Sequence, residues 1–258
     1  MEQIVQMFSG WFTKNPVKNA FSLIALQKNI NGCLKPKKTI NYDNINDLIS
    51  KLDGFDGWII GRPVARESIN YFLNSCKALD IMRCLTNLLI SSLQSKGMFY
   101  HFGILDGDNV IEFGTDEMDK TTARVRKIPL RDFIASIENT NNKIRLIQRT
   151  ELLEEHNIMQ VKDTNTIRQR YQEEMDSYLG IGNAPKPYDA AANNCDHVAH
   201  YISCGSRKSI QSDIIMRFIL GPETDKLIED YQKNYYVIDF PPQTKEKQIN
   251  GKKSKIYG

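Results

Sequence analysis

No stretch of this chain reaches eighteen apolar residues. The longest candidate, residues 78 to 93, is broken by Asp80, Arg83 and Asn87, so no transmembrane helix is expected. The opening MEQIVQMFSGWF lacks a basic stretch and a small-residue cleavage site, and makes a poor signal peptide. Position 2 is not glycine, which excludes standard myristoylation, and the ending SKIYG is no prenylation box. The five cysteines, Cys33, Cys76, Cys84, Cys195 and Cys204, form no CxxC pair. Neither a zinc site nor a disulfide framework is expected, and a reducing compartment fits. There is no internal repeat. Charge is nearly balanced, at +3, so nothing demands nucleic acid as a partner.

What remains is an ordinary globular composition over 258 residues, 41% hydrophobic and 25% charged, enough for one large domain with a real core, or for one domain plus an embellishment. Near the start, Ile4, Val5, Phe8, Trp11 and Phe12 recur at helical spacing. That helix docks on the core or, alternatively, lies in a lipid interface. Residues 1 to 56 are read as a helical extension, and Lys35-Pro36-Lys37-Lys38 as a solvated loop. Residues 57 to 61 read as a buried strand, and 66 to 96 as helical, with Cys76 and Cys84 as small core residues.

From Met98 the periodicity changes. MFYHFGIL alternates like a strand, Asp106-Gly107-Asp108-Asn109 is a turn signal, and VIEFG is a second strand. Together they predict a β-hairpin. Pairing Leu105 with Val110 sets Gly103 opposite Glu112 and makes His101 and Glu112 diagonal neighbours on one face. A carboxylate there would fix the imidazole tautomer and stabilise the imidazolium. Further strands are expected at 123 to 128 and 143 to 149, with a short helix at 130 to 137 between them. A charged helix is expected at 166 to 178, and a proline-bearing loop at 183 to 187. Residues 241 to 258 read as a disordered basic tail.

The segment Asn193-Asn194-Cys195-Asp196-His197-Val198-Ala199-His200-Tyr201-Ile202-Ser203-Cys204-Gly205 predicts a capped helix over 195 to 203. Cys195, Val198, Ala199 and Ile202 share its inward face, and His200 faces outward. A thiol at the first turn meets unpaired N–H groups and the positive end of the helix dipole, which favour a thiolate. With an imidazole nearby, this is the arrangement for nucleophilic catalysis. His197 is expected to bond locally near the helix start. Cys204 is expected in the core, and His156 carries no signal. The oxyanion hole needs the Cys195 N–H and a second donor, for which Tyr100 is the candidate. No metal or cofactor is called for.

The segments HFGILDGDNVIEFG and NNCDHVAHYISCG resemble the histidine and cysteine boxes of lecithin–retinol acyltransferase and its small phospholipase/acyltransferase relatives. Picornaviral H-box/NC proteins and nematode proteins share both boxes. Their order and separation match here, and Tyr188 also fits. The resemblance covers about residues 98 to 206. It implies an α+β, circularly permuted papain-like fold of the NlpC type: an antiparallel sheet packed on the helix bearing the cysteine, spanning 57 to 240, with 66 to 96 an insertion. It implies acyl transfer from a glycerophospholipid through a thioester on Cys195, with His101 as base. Glu112 takes a position where the family usually has histidine. Phe102, Asp196 and Val198 stand for its tryptophan, glutamate and phenylalanine. The hydrophobic C-terminal anchor of many vertebrate members has no counterpart, so peripheral contact with membrane lipid from a cytoplasmic location is expected. A thiol amidase or peptidase of the same fold, and a non-catalytic interaction protein, are the alternatives.

Overall fold

The computed structural model describes residues 34–63, 100–114, 123–135, 143–153, 164–178, 193–213 and 224–243. The amphipathic segment near the start, the helical stretch 66 to 96, His156, the loop 183 to 187 and Tyr188 lie outside them.

Seven strands form one sheet in the order β1-β7-β6-β2-β3-β4-β5. They are β1 (Lys38–Thr39), β2 (Ile59–Pro63), β3 (Tyr100–Asp106), β4 (Asn109–Gly114), β5 (Arg124–Pro129), β6 (Ile144–Arg149) and β7 (Tyr235–Phe240). Among the described residues the longer helices are α1 (Ile45–Leu52), α2 (Leu130–Ala135), α3 (Thr164–Tyr178), α4 (Cys195–Cys204) and α5 (Thr224–Asn234). The class is therefore α+β. Every strand pair is antiparallel except β1 with β7, which makes the sheet mixed where an antiparallel one was expected. Among the described residues no helix is long and apolar enough to cross a membrane.

The hairpin forms in the expected register, with Leu105 opposite Val110 and Gly103 opposite Glu112. The reason is local: Gly107 takes φ 59° in the two-residue turn, and the apolar residues of both strands then fall on matching faces.

The sheet is covered on both faces. One core joins Phe102, Ile104 and Phe113 to Ile167 of α3, Cys195, Val198 and Ile202 of α4, and Tyr231 of α5. The other joins Trp58, Ile60, Leu105 and Phe240 to Leu48 and Leu52 of α1 and Phe133 of α2. A strand buried on both faces loses its alternation, which is how β6 shows five buried residues in a row.

Three expectations change. Lys38, read as part of a solvated loop, is in edge strand β1, although its side chain stays exposed. The described part of the expected extension supplies β1 and α1 to the sheet and the second core. Residues 241 to 243, read as the start of a tail, are held: Pro242 bridges Tyr42, and Gln243 N–H donates to the Tyr42 carbonyl at 2.9 Å.

Candidate active site

Helix α4 begins on a built cap. Asn194, at φ −105° and ψ 179°, accepts from the N–H groups of Asp196 (2.9 Å) and His197 (3.1 Å). The His197 ring lies against the Asn194 N–H at 3.3 Å through Nδ1, completing a capping box with histidine in the usual glutamate place. Burial holds the His197 imidazole below its ordinary pKa, against the charges of Asp196 and Asp213, so it caps as a neutral ring. At the far end Gly205 closes the helix at φ 73°, a left-handed conformation that favours glycine.

Cys195 is the first helical residue and is buried. On β3, strand alternation turns Tyr100, Phe102 and Ile104 toward α4 and turns His101 toward Phe133, whose ring centroid is 5.8 Å from that of the imidazole. The thiol meets the imidazole because β3 and β4 part company: their register ends at Gly103 opposite Glu112. The Phe102 N–H and the His101 ring act on the Cys195 thiol as hydrogen-bonding neighbours, and both favour its ionised form.

His101 Nε2 lies 2.7 Å from Glu112 Oε2. That leaves Nδ1 as the ring nitrogen for the thiol. The other carboxylate oxygen of Glu112 receives Arg126 Nε at 2.8 Å and Nη2 at 2.6 Å. Cross-strand partners share a face, so Arg62 on β2, His101, Glu112 and Arg126 on β5 make a charged row across four neighbouring strands. Arg62 stands over the Phe133 ring with Cζ 5.1 Å from its centroid, so Arg62 and His101 rest on one aromatic platform.

The charges reinforce one another. Burial would raise the Glu112 carboxyl, but the hydrogen bonds and charges of His101 and Arg126 overcome it and hold the pKa at about 2. Burial would lower His101, yet the Cys195 and Glu112 charges raise it above its ordinary value. Burial and Asp196 oppose ionisation of the Cys195 thiol. The His101 charge and hydrogen bond and the Phe102 N–H outweigh them and lower its pKa. The directions agree on a thiolate–imidazolium pair braced by a carboxylate.

The expected triad of Cys195, His101 and Glu112 is thus brought together, and Asn194 and His197 shape the helix start. Tyr100 has other partners than the thiol. Its ring lies under the Arg145 guanidinium, with Cζ 5.0 Å from the centroid, and the charges acting on its hydroxyl are those of Arg145 and Asp239. His200 is corrected outright: expected outward, it is fully buried, with Nδ1 2.9 Å from Asp196 Oδ1 and its ring on the edge of Tyr235. Helix α4 is enclosed nearly all round, so a single inward stripe misplaces it. Cys204 is half-buried and donates to the His200 carbonyl at 3.0 Å. Arg126, Arg62 and Phe133 were missed. Extending the hairpin register into β5 would have set Arg126 beside Glu112; nothing in the sequence brings Phe133 to His101.

No protein-family model matches the chain, and no curated protein or solved structure does either.

Proposed function

We propose that this chain is a thiol-dependent acyltransferase or phospholipase with a permuted papain-like fold, acting on a glycerophospholipid ester. The observation that carries the chemistry is the Cys195–His101–Glu112 chain, with the thiol at a capped helix start and the imidazole bonded to a carboxylate 2.7 Å away. The lipid assignment rests on the resemblance of the two boxes.

In this mechanism the Cys195 thiolate attacks the ester carbonyl. The backbone N–H of Cys195, at the first turn of α4, stabilises the oxyanion. As the tetrahedral adduct collapses, the carbon–oxygen bond breaks and the leaving alkoxide takes the proton from imidazolium His101. A thioester and a lysophospholipid result. Water, an amine or an alcohol then gives its proton to His101 and attacks the thioester, which releases the acyl group and restores the pair. Glu112 keeps the ring oriented and its cation stabilised throughout, and Arg126 keeps Glu112 in place.

Mass spectrometry of the protein after incubation with phospholipid vesicles tests the reading. An acyl adduct on the peptide bearing Cys195, absent in Cys195→Ala, is expected. Acylation by peptide or amide substrates with none from phospholipid would move the assignment to an amidase. No adduct from any acyl donor would leave an interaction module that keeps the boxes for shape.

A further inference from the structure

Antiparallel pairing with β4 stops at Gly103, yet β3 continues to Tyr100 with its next backbone groups buried. Such groups must find partners. The Phe102 N–H goes to the Cys195 thiol. Tyr100 is served by one side chain: its N–H donates to Gln211 Oε1 at 2.9 Å, and its carbonyl accepts from Gln211 Nε2 at 3.0 Å. A carboxamide offers that donor and acceptor side by side, and the two bonds fix which way it points. The thiol and Gln211 therefore serve backbone groups of β3 that further pairing with β4 would have used.

Gln211 is also tied to the other half of the site. Its own backbone N–H donates to Asp196 Oδ2 at 3.0 Å, where Ser209 Oγ also donates at 2.9 Å. Asp196 follows the nucleophile, and Tyr100 precedes the base. Gln211, Asp196 and Tyr100 are all buried, which makes both links short and dry.

We propose that Gln211 is a positioning residue that sets the approach of the Cys195 thiol to the His101 imidazole, by clamping the strand of one to the helix of the other. This rests on the thiol–imidazole reading of the site. Loss of the clamp frees the end of β3 at its junction with α4. The ion pair weakens, and the thiol drifts back toward ordinary acidity while the two cores stay packed.

The test is the rate of Cys195 alkylation by iodoacetamide from about pH 5 to about pH 9, read by peptide mapping. It compares wild type, His101→Ala, Gln211→Met and Gln211→Asn. Met keeps the volume and removes the carboxamide; Asn keeps the carboxamide but falls a methylene short. Near-UV circular dichroism reports the packing. Wild type should label at acid pH, and His101→Ala only as an ordinary thiol ionises. Both Gln211 variants should lie between, at least about tenfold slower than wild type at the acid end, with an unchanged dichroism spectrum. Gln211 profiles that overlay wild type, while His101→Ala does not, overturn the proposal alone. A wild-type profile that overlays His101→Ala overturns the ion-pair reading beneath it.

Discussion

At Cys195 burial and Asp196 work against a thiolate, and the His101 cation wins. The thiol should therefore be the most reactive of the five cysteines at about pH 6.5, where a thiol of ordinary acidity is almost wholly protonated. Limiting iodoacetamide and peptide mapping check this; preferential labelling of Cys33, Cys76, Cys84 or Cys204 would contradict it. Because His101 is raised and Cys195 lowered, turnover should rise through the acidic limb set by Cys195. It should fall again only above the ordinary imidazole range, as His101 loses its proton. Glu112→Gln keeps the shape but removes the charge behind the imidazolium, and should slow acyl transfer by about 10- to 1,000-fold. The same residue has a signature in stability. Its folded pKa of about 2 lies below the ordinary 4.5, so its contribution is present above 4.5 and is lost as pH falls toward 2. That contribution is about 3 kcal/mol. Urea unfolding at neutral pH and at about pH 3 should show wild type losing more stability on acidification than Glu112→Gln does.

Two elements carry the site, and each has a test of its own. In α4 the Asn194 side-chain Oδ1 serves two N–H groups at the turn that presents the thiol. Asn194→Ala should cost about 1 kcal/mol of stability and slow Cys195 labelling as well. A cap that served stability alone would leave the labelling unchanged. In β4 the critical feature is a missing side chain. A Cβ at Gly114 would stand 2.9 Å from Glu112 Oε1, close enough to push the carboxylate off its partners. The backbone there is ordinary strand. Gly114→Ala should thus lower turnover toward that of Glu112→Gln and forfeit part of the stability, about 3 kcal/mol, that the carboxylate draws from its partners. Equal turnover to wild type would mean that the carboxylate finds a second productive position.

At the scale of the molecule, β7 locks the sheet. It lies between β1 and β6, and its Asp239 faces Arg145 across the ladder. Arg145 Nε donates to Asp239 Oδ1 at 2.7 Å, both side chains being 3% exposed, and Lys143 Nζ adds a contact at 2.6 Å. Asp239→Ala would strand the Arg145 guanidinium over the Tyr100 ring, and should cost about 3 to 5 kcal/mol in urea unfolding. The double variant Arg145→Met, Asp239→Leu removes both charges and should recover most of that loss. The cost of the single variant is that of a buried charge left without its counter-ion.

Sequence alone determined the features set by neighbours along the chain. The turn at Gly107 fixes the β3–β4 register and hence the His101–Glu112 diagonal. Asn194 and Gly205 bound α4, and helical spacing turns Cys195, Val198, Ala199 and Ile202 inward. Tertiary structure alone decided what depends on distant segments meeting. β7 was overlooked because, inside the sheet and buried on both faces, it shows no alternation to read. His200 was misplaced because α3 packs on α4, and Tyr235 of β7 covers the ring itself. Arg126, Phe133 and Gln211 come to the site from β5, α2 and the segment after α4. No local periodicity encodes such meetings, since each is fixed by how the strands and helices close around the two cores.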